Sequence, residues 1–386
     1  MPKWYKLYNG MKAMFLMVML FSAPSHALEL SGQYKNLLLT SETIIGANEH
    51  YVLDINRLRL GLTDRWQNIQ FEMIYDNELQ FGSYLDSLQF RQFVERDDLR
   101  YWKLQGNSVD KENIYATHEL YRGTVQVTHN NFDIRIGRQQ INWASTVIWN
   151  PLDRFNPLNP LQLERDERQG VDALLLDYNI HELSRLSLVY SRQENPSDQS
   201  AAVRFKSNQY DIDYSLIAGR FLTEDKLGFG LASQIGLIGL RAEIVWSDPK
   251  GNANGNEPYI ETVVSADYTN QAGIKFVLEG YFNGDGETDI TKYQFSQILT
   301  GQKLGLAKHY LGGIISKELT PLLELELLAI SNLDDHSQFI SPTLNYDLPT
   351  FEDVYLKFGA QFFTGTSNTE YAFYENVYFG ELIYYF

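Results

Sequence analysis

The segment Val354-Tyr355-Leu356-Lys357-Phe358-Gly359-Ala360-Gln361-Phe362 places an apolar residue at every even number, with Tyr, Lys, Gly and Gln between them. Successive side chains of a strand point to opposite faces, so this spacing predicts a strand with one apolar and one wet face. Just upstream, Leu348-Pro349-Thr350 reads as a tight turn. Downstream, residues 365–375 form a longer polar connection before a last strand at 377–386.

The same period recurs outward from there. Ile69, Phe71, Met73 and Tyr75 alternate with polar neighbours, as do Phe132, Ile134 and Ile136, then Leu240, Ala242, Ile244 and Trp246, then Ile274, Phe276 and Leu278. Tight turns are expected at Thr63-Asp64-Arg65, His129-Asn130-Asn131, Asn179-Ile180-His181, Thr269-Asn270-Gln271 and Glu318-Leu319-Thr320. Long polar connections are expected at 77–113, 140–168, 248–256 and 283–303. Tight and long connections alternate along the chain, which favours a transmembrane barrel over a soluble sandwich. The predicted strands lie at 30–40, 51–62, 66–76, 114–128, 132–139, 170–178, 182–192, 200–206, 209–220, 226–234, 237–247, 257–268, 272–282, 304–317, 320–330, 337–347, 352–363 and 377–386. The fold class is therefore all-β, a transmembrane antiparallel β-barrel of about 18 strands, with short periplasmic turns and long extracellular loops. Both ends of such a chain lie on one side, so the count must be even. It is 18 if residues 200–206 form a strand of their own, and 16 is the alternative.

Composition narrows the function. The 386 residues include no cysteine, which excludes disulfide frameworks, thiolate metal sites and thiol catalysis. Thirty-two Lys and Arg stand against 49 Asp and Glu, a formal charge of −17 that argues against nucleic acid as a partner. Mean hydropathy is −0.31, a value that speaks against membrane helices only, because a barrel averages its lipid face with a polar lumen. Residues 1–27 read as a secretory leader, with Lys3, Lys6 and Lys12 before the apolar run Ala13 to Phe21, and Ser25-His26-Ala27 at the cleavage position. Its removal leaves 28–386 as the barrel, with 29 basic and 49 acidic side chains and a charge near −20.

The chain stops at Phe386, with Tyr384, Leu382, Gly380 and Tyr378 at alternating positions before it. This resembles the terminal strand of outer-membrane barrels, which implies Phe386, Tyr384 and Leu382 as an assembly signal and the barrel-assembly machinery as a partner. A second stretch runs Ile136-Gly137-Arg138-Gln139-Gln140-Ile141-Asn142-Trp143, then Trp149-Asn150-Pro151-Leu152-Asp153-Arg154-Phe155-Asn156-Pro157. It is similar to the G-R-Q-x-x-x-W and N-P-x-D segment of proteobacterial porin-like barrels related to the alginate-export family. A block from Thr320-Pro321 to Asp334-Asp335-His336-Ser337 looks like the same group. Ala144 stands where that pattern has Gly after the tryptophan. The resemblance implies an open barrel in the outer membrane that passes solutes or a polymer.

Read from the residues, 140–168 is a proline-punctuated loop, because fixed φ forbids a helix there. Folded inward it would narrow a pore, with Trp143, Trp149, Asn150, Pro151, Asp153, Arg154, Asn156 and Pro157 as constriction residues; a lid packed on the rim is the other reading. The polar face of the strands offers Arg57, Arg59, Arg122 and Arg135 in the first half, and Arg241, Glu243, Glu261, Lys275, Glu279, Glu324 and Glu326 in the second. Arg138 joins them if the strand end turns it inward, although strict alternation points it outward. The expected lumen thus has a basic wall opposite an acidic one, which suits small polar or charged solutes. Pairing of those charges across the ladder is an equal possibility. Trp143, Trp149, Tyr371 and Tyr374 are read at strand ends, as aromatic belts.

No nucleotide, metalloprotease or phosphate-loop motif occurs, and His336 is the one histidine with two acids, Asp334 and Asp335, within two positions of it. The expectation is a non-enzymatic channel without cofactor or metal, surrounded by outer-membrane lipid and lipopolysaccharide. Export of an anionic polysaccharide, or a plugged binding or assembly barrel, are the alternatives.

Overall fold

The computed structural model describes residues 28–46, 48–94, 100–165, 168–195, 198–249, 257–296, 303 and 305–386, so the expected leader lies outside the described residues. Among the described residues nineteen strands form one antiparallel sheet. They are β1 (Glu29–Glu42), β2 (His50–Trp66), β3 (Ile69–Phe81), β4 (Gln105–Lys111), β5 (Ile114–His129), β6 (Phe132–Gln139) and β7 (Val171–His181), followed by β8 (Ser184–Ser191), β9 (Ser200–Gln209), β10 (Ile212–Phe221), β11 (Glu224–Ile235), β12 (Ile238–Pro249) and β13 (Tyr259–Thr269). The remainder are β14 (Ile274–Asn283), β15 (His309–Thr320), β16 (Leu323–Asn332), β17 (Gln338–Asp347), β18 (Val354–Thr364) and β19 (Val377–Tyr385). β19 pairs with β1 from Gln33↔Tyr385 to Thr40↔Tyr378, which closes the ring. Closure leaves the ring without a first and last edge, the condition for a sheet to cross a bilayer. β3 pairs with β5 directly, so β4 is an addition from the long connection and the barrel itself has eighteen strands.

Register fixes the two faces. Lys35 lies opposite Arg57 and Gln33 opposite Arg59, all pointing inward, while Leu30, Leu38, Leu58 and Leu60 are exposed on the outside. Such outward rows form the lipid face of a membrane barrel.

Four turns fall two or three residues later than expected. The hairpins close at 67–68, 182–183, 210–211 and 321–322, rather than at Thr63-Asp64-Arg65, at Asn179-Ile180-His181, between 206 and 209, and at Glu318-Leu319-Thr320. Polar residues continue the strands there because the barrel end projects into water, so polarity alone does not mark a turn. Positive φ does: Gln67 at 54°, Asn130 at 51°, Tyr210 at 54° and Asp211 at 61° take the conformation that two-residue hairpins require. The connection after β3 also carries a short 3-10 turn (Ser83–Asp86) and a helix (Leu88–Val94) where only loop is expected.

The interior is packed by the chain between β6 and β7. Ile148 and Trp149 cluster with Val263, Val277, Ile314, Leu328 and Phe339, while Ile141, Trp143, Leu152 and Phe155 cluster with Val189, Ala202, Ile217 and Val245. Both clusters join this loop to the inward faces of β7 to β17.

Candidate functional site

The loop leaves the wall at the G-R-Q segment. Gly137 has φ 126°, and a Cβ there would stand 2.0 Å from the Gly123 carbonyl oxygen, so only glycine fits. Gln139 then donates from Nε2 to the Ala173 carbonyl at 3.0 Å. Inside, the loop folds on its own polar residues. Asn156 Oδ1 accepts the Ile141 N–H at 2.7 Å, Asn150 Nδ2 donates to the Thr146 carbonyl at 2.6 Å, and Asp153 pairs with Arg168. Pro151 is buried among these contacts, and Pro157 is exposed to the open lumen.

Two wall glutamates hold the loop by its backbone. Glu279 accepts the N–H groups of Val147 at 2.6 Å, Ile148 at 2.8 Å and Trp149 at 3.1 Å. Glu243 accepts the Thr146 N–H at 3.2 Å, the Ser145 hydroxyl at 2.9 Å and the Leu152 N–H at 3.1 Å. Irregular backbone inside a barrel needs such partners. Glu243 and Glu279 are 1% and 0% exposed, so they are anchors for the loop and not charges facing an open pore. Trp143 and Trp149 are each buried as well, the first edge-on to Phe155 at 5.3 Å and the second stacked on Tyr281 at 5.4 Å. They do not lie in an aromatic belt, and neither do the buried Tyr371 and the largely covered Tyr374.

The remaining expected lumen charges divide by partner. Glu261 pairs with Arg154 and Glu326 with Arg165, both arginines coming from the loop. Arg241 pairs with Asp267. Lys275 is exposed near a hairpin turn, and Glu324 accepts from Asn345 at 3.3 Å. On the other side Arg59 pairs with Asp76 at 2.7 Å, and Arg57 pairs with Glu78 at 2.9 Å and with Glu164 of the loop at 3.1 Å. Burial pushes the Glu164 carboxyl up, but Arg57 and Lys35 outweigh it and hold it below the usual range. Thus the loop neutralises much of the acidic wall, and the expected opposition of two charged walls is reduced.

Arg122 and Arg135 are different. Arg122 donates to Gln140 Oε1 at 2.5 Å, and Arg135 donates twice to Gln126 Oε1, at 3.0 and 2.6 Å. Among the described residues neither forms an ion pair, and Arg122 Nε has no hydrogen-bond partner. Arg204, which lies over the Trp143 ring at 5.9 Å, also has an unpartnered Nε. Arg138 does not join this group. Its register partners are Gly123 and Asp172, its side chain is wholly buried, and it pairs with Asp172 at 2.9 Å within the wall.

Open space remains between the loop and the inner faces of β1 to β8. A cavity of about 1060 Å³ is bordered by Arg57, Arg59, Arg100, Tyr121, Asn156 and Glu164. A second, of about 320 Å³, is lined by Glu72, Arg122, Thr124, Arg135, Gln139, Gln140 and Asn142. A third, of about 150 Å³, shares Arg135 and adds Asp133, Asp177 and Arg185 near the tight turns. The cavities follow the arginine-bearing strands from the long loops toward the turns.

Among the described residues no group of metal-ligating side chains forms a site. Asp334 does not pair with its neighbour His336 but with His309, whose Nδ1 is 2.9 Å away. Sequence reading missed the loop partners Glu164, Arg165 and Arg168, and the segment around Arg100 and Trp102. The alternating Glu164-Arg165 signs were the available signal.

No sequence-family model matches the chain, and no curated protein matches it. Solved structures do. OprD of Pseudomonas aeruginosa aligns over 93% of this chain and 95% of its own at 11% identity, with a TM-score of 0.61. The fold is that of the outer-membrane porins. OccK8 (OprE) of Pseudomonas aeruginosa and OccAB2 of Acinetobacter baumannii each align over 93% of this chain and 98% of their own, at 10% identity and TM-score 0.61. These neighbours support the porin-like barrel and give no support to the narrower resemblance to alginate-export barrels.

Proposed function

We propose that the chain is an outer-membrane channel for small polar solutes that carry an anionic group, with the 140–170 loop as its constriction. One observation carries the reading: the loop's arginines take up Glu261 and Glu326 of the acidic side, while Arg122 and Arg135 have no carboxylate partner among the described residues and lie beside open space. An arginine without a carboxylate partner attracts a passing anion, and a low-dielectric wall strengthens the field. Asp133, Asp177 and Glu72 moderate that attraction, so solutes leave as well as enter. A long anionic polymer fits less well, because the loop crosses the lumen. The secretory leader, the outer-membrane lipid and lipopolysaccharide surroundings, and recognition of Phe386, Tyr384 and Leu382 by the barrel-assembly machinery belong to the same reading. Swelling of liposomes containing the purified barrel tests it. Small carboxylates should enter faster than neutral solutes of equal size, and equal rates would overturn the anionic preference.

A further inference from the structure

β6 ends at Gln139 while β5 runs on through Ile114–Arg122, so the wall beside β5 lacks its next strand where the loop turns inward. A segment of the preceding connection fills that place. Leu104 accepts the Leu120 N–H at 2.9 Å, and β4 continues the pairing from Gln105↔Glu119 to Lys111↔Ile114. On its other side Arg100 forms a bridge with Gln193, and Lys103 pairs with Glu194 at 2.7 Å, both just beyond β8.

The lower end of this patch rests on one ion pair. Arg138 Nε and Nη2 donate to Asp172 at 2.9 and 3.2 Å, Nη1 donates to the Leu120 carbonyl at 3.0 Å, and Nη2 donates to the Trp102 carbonyl at 2.5 Å. Asp172 Oδ2 in turn accepts the Trp102 N–H at 2.8 Å. One guanidinium therefore joins β5, β7 and the patch, which needs the planar fork of arginine rather than a point charge. The patch brings Arg100, Gln105 and Asn107 to the large cavity, where Arg100 pairs with Glu119 at 3.0 Å.

We propose that Arg138 and Asp172 are positioning residues for permeation: by clamping the 100–107 segment as a substitute for the missing strand, they hold Arg100 at the cavity. This rests on the channel reading above. Neither residue borders the cavity, so their effect on ions would pass through the segment they clamp.

The test is a double-mutant cycle on ion selectivity, read from reversal potentials of the full barrel in planar bilayers. Arg100→Gln alone should lower the anion-to-cation permeability ratio by about twofold, as should Arg138→Met, and the double variant should fall no further than Arg138→Met. If Arg138→Met does not assemble, Arg138→Lys takes its place in the cycle, because a single ammonium still meets Asp172 but cannot also reach the Leu120 and Trp102 carbonyls. An unchanged ratio in the clamp variant, or an additive cycle, would overturn the proposal. A wild-type barrel that conducts no ions would instead sink the channel reading.

Discussion

Arg154 and Glu164 sit on one loop and pair with strands almost half-way round the ring from each other, Arg154 with Glu261 on β13 and Glu164 with Lys35 on β1 and Arg57 on β2. The loop's charge order therefore matches the wall it meets at each end. Glu164→Gln removes the acid that occupies Arg57 and Lys35. Anion preference should rise, read as a shift in reversal potential across a salt gradient. No shift would place those two cations off the ion path.

The backbone anchors satisfy loop amides that are buried in the barrel interior. Glu279→Ala strands three N–H groups, each worth about 1–3 kcal/mol when buried without a partner. We expect a larger single-channel conductance and new protease cleavage between 144 and 150. A variant with wild-type conductance and no cleavage would show that the apolar packing of Ile148 and Trp149 suffices.

A second clasp lies among the long loops. Glu370 accepts the Tyr310 hydroxyl at 2.6 Å, Asn332 Nδ2 at 2.8 Å and the Leu306 N–H at 3.1 Å, and burial raises its carboxyl to about 7 against these hydrogen bonds. Asp153 is likewise raised to about 7, by burial opposed chiefly by Arg168. Folded values above the unfolded ones mean protonation favours the folded loops, so this stability is present below about pH 4 and lost as pH rises through 7. Hydrogen-exchange protection factors in 305–308 and 370–374, taken relative to the intrinsic rate at each pH, should be larger at pH 5 than at pH 8, and Glu370→Gln should flatten the difference for that clasp. Equal protection at both pH values in the native barrel would contradict this.

How much of this was legible in the sequence depends on what alternation can report. The period of two names the face a residue shares, and it found the ring, its strand number and its long connections. It does not say whether the inner face meets water or another segment. Glu243 and Glu279 alternate like pore residues and are covered, while Trp143 and Trp149 resemble belt residues and pack inside. Arg138 follows strict alternation away from the lumen, and only the tertiary visit of Trp102 explains its burial. Pro151 and Pro157 did mark an irregular loop, whose direction was set by partners more than 90 residues distant.

The terminal strand supplies a prediction about biogenesis. Phe386 exchanges backbone hydrogen bonds with Gly32, at 2.7 and 2.9 Å, and its ring covers the position a Gly32 Cβ would take. Phe386→Ala keeps the ladder but removes the ring. The yield of heat-modifiable, folded barrel in membranes should drop severalfold while the purified variant still refolds in detergent. Unchanged yield would remove Phe386 from the assembly signal.

The most direct test of the account is the reversal potential of single barrels in a salt gradient, compared between the native protein and Arg135→Glu. Native barrels should conduct ohmically with anion preference, and the variant should shift toward cations, because Arg135 borders two cavities without an ion-pair partner among the described residues. Cation preference in the native barrel, or an identical potential in the variant, would contradict it.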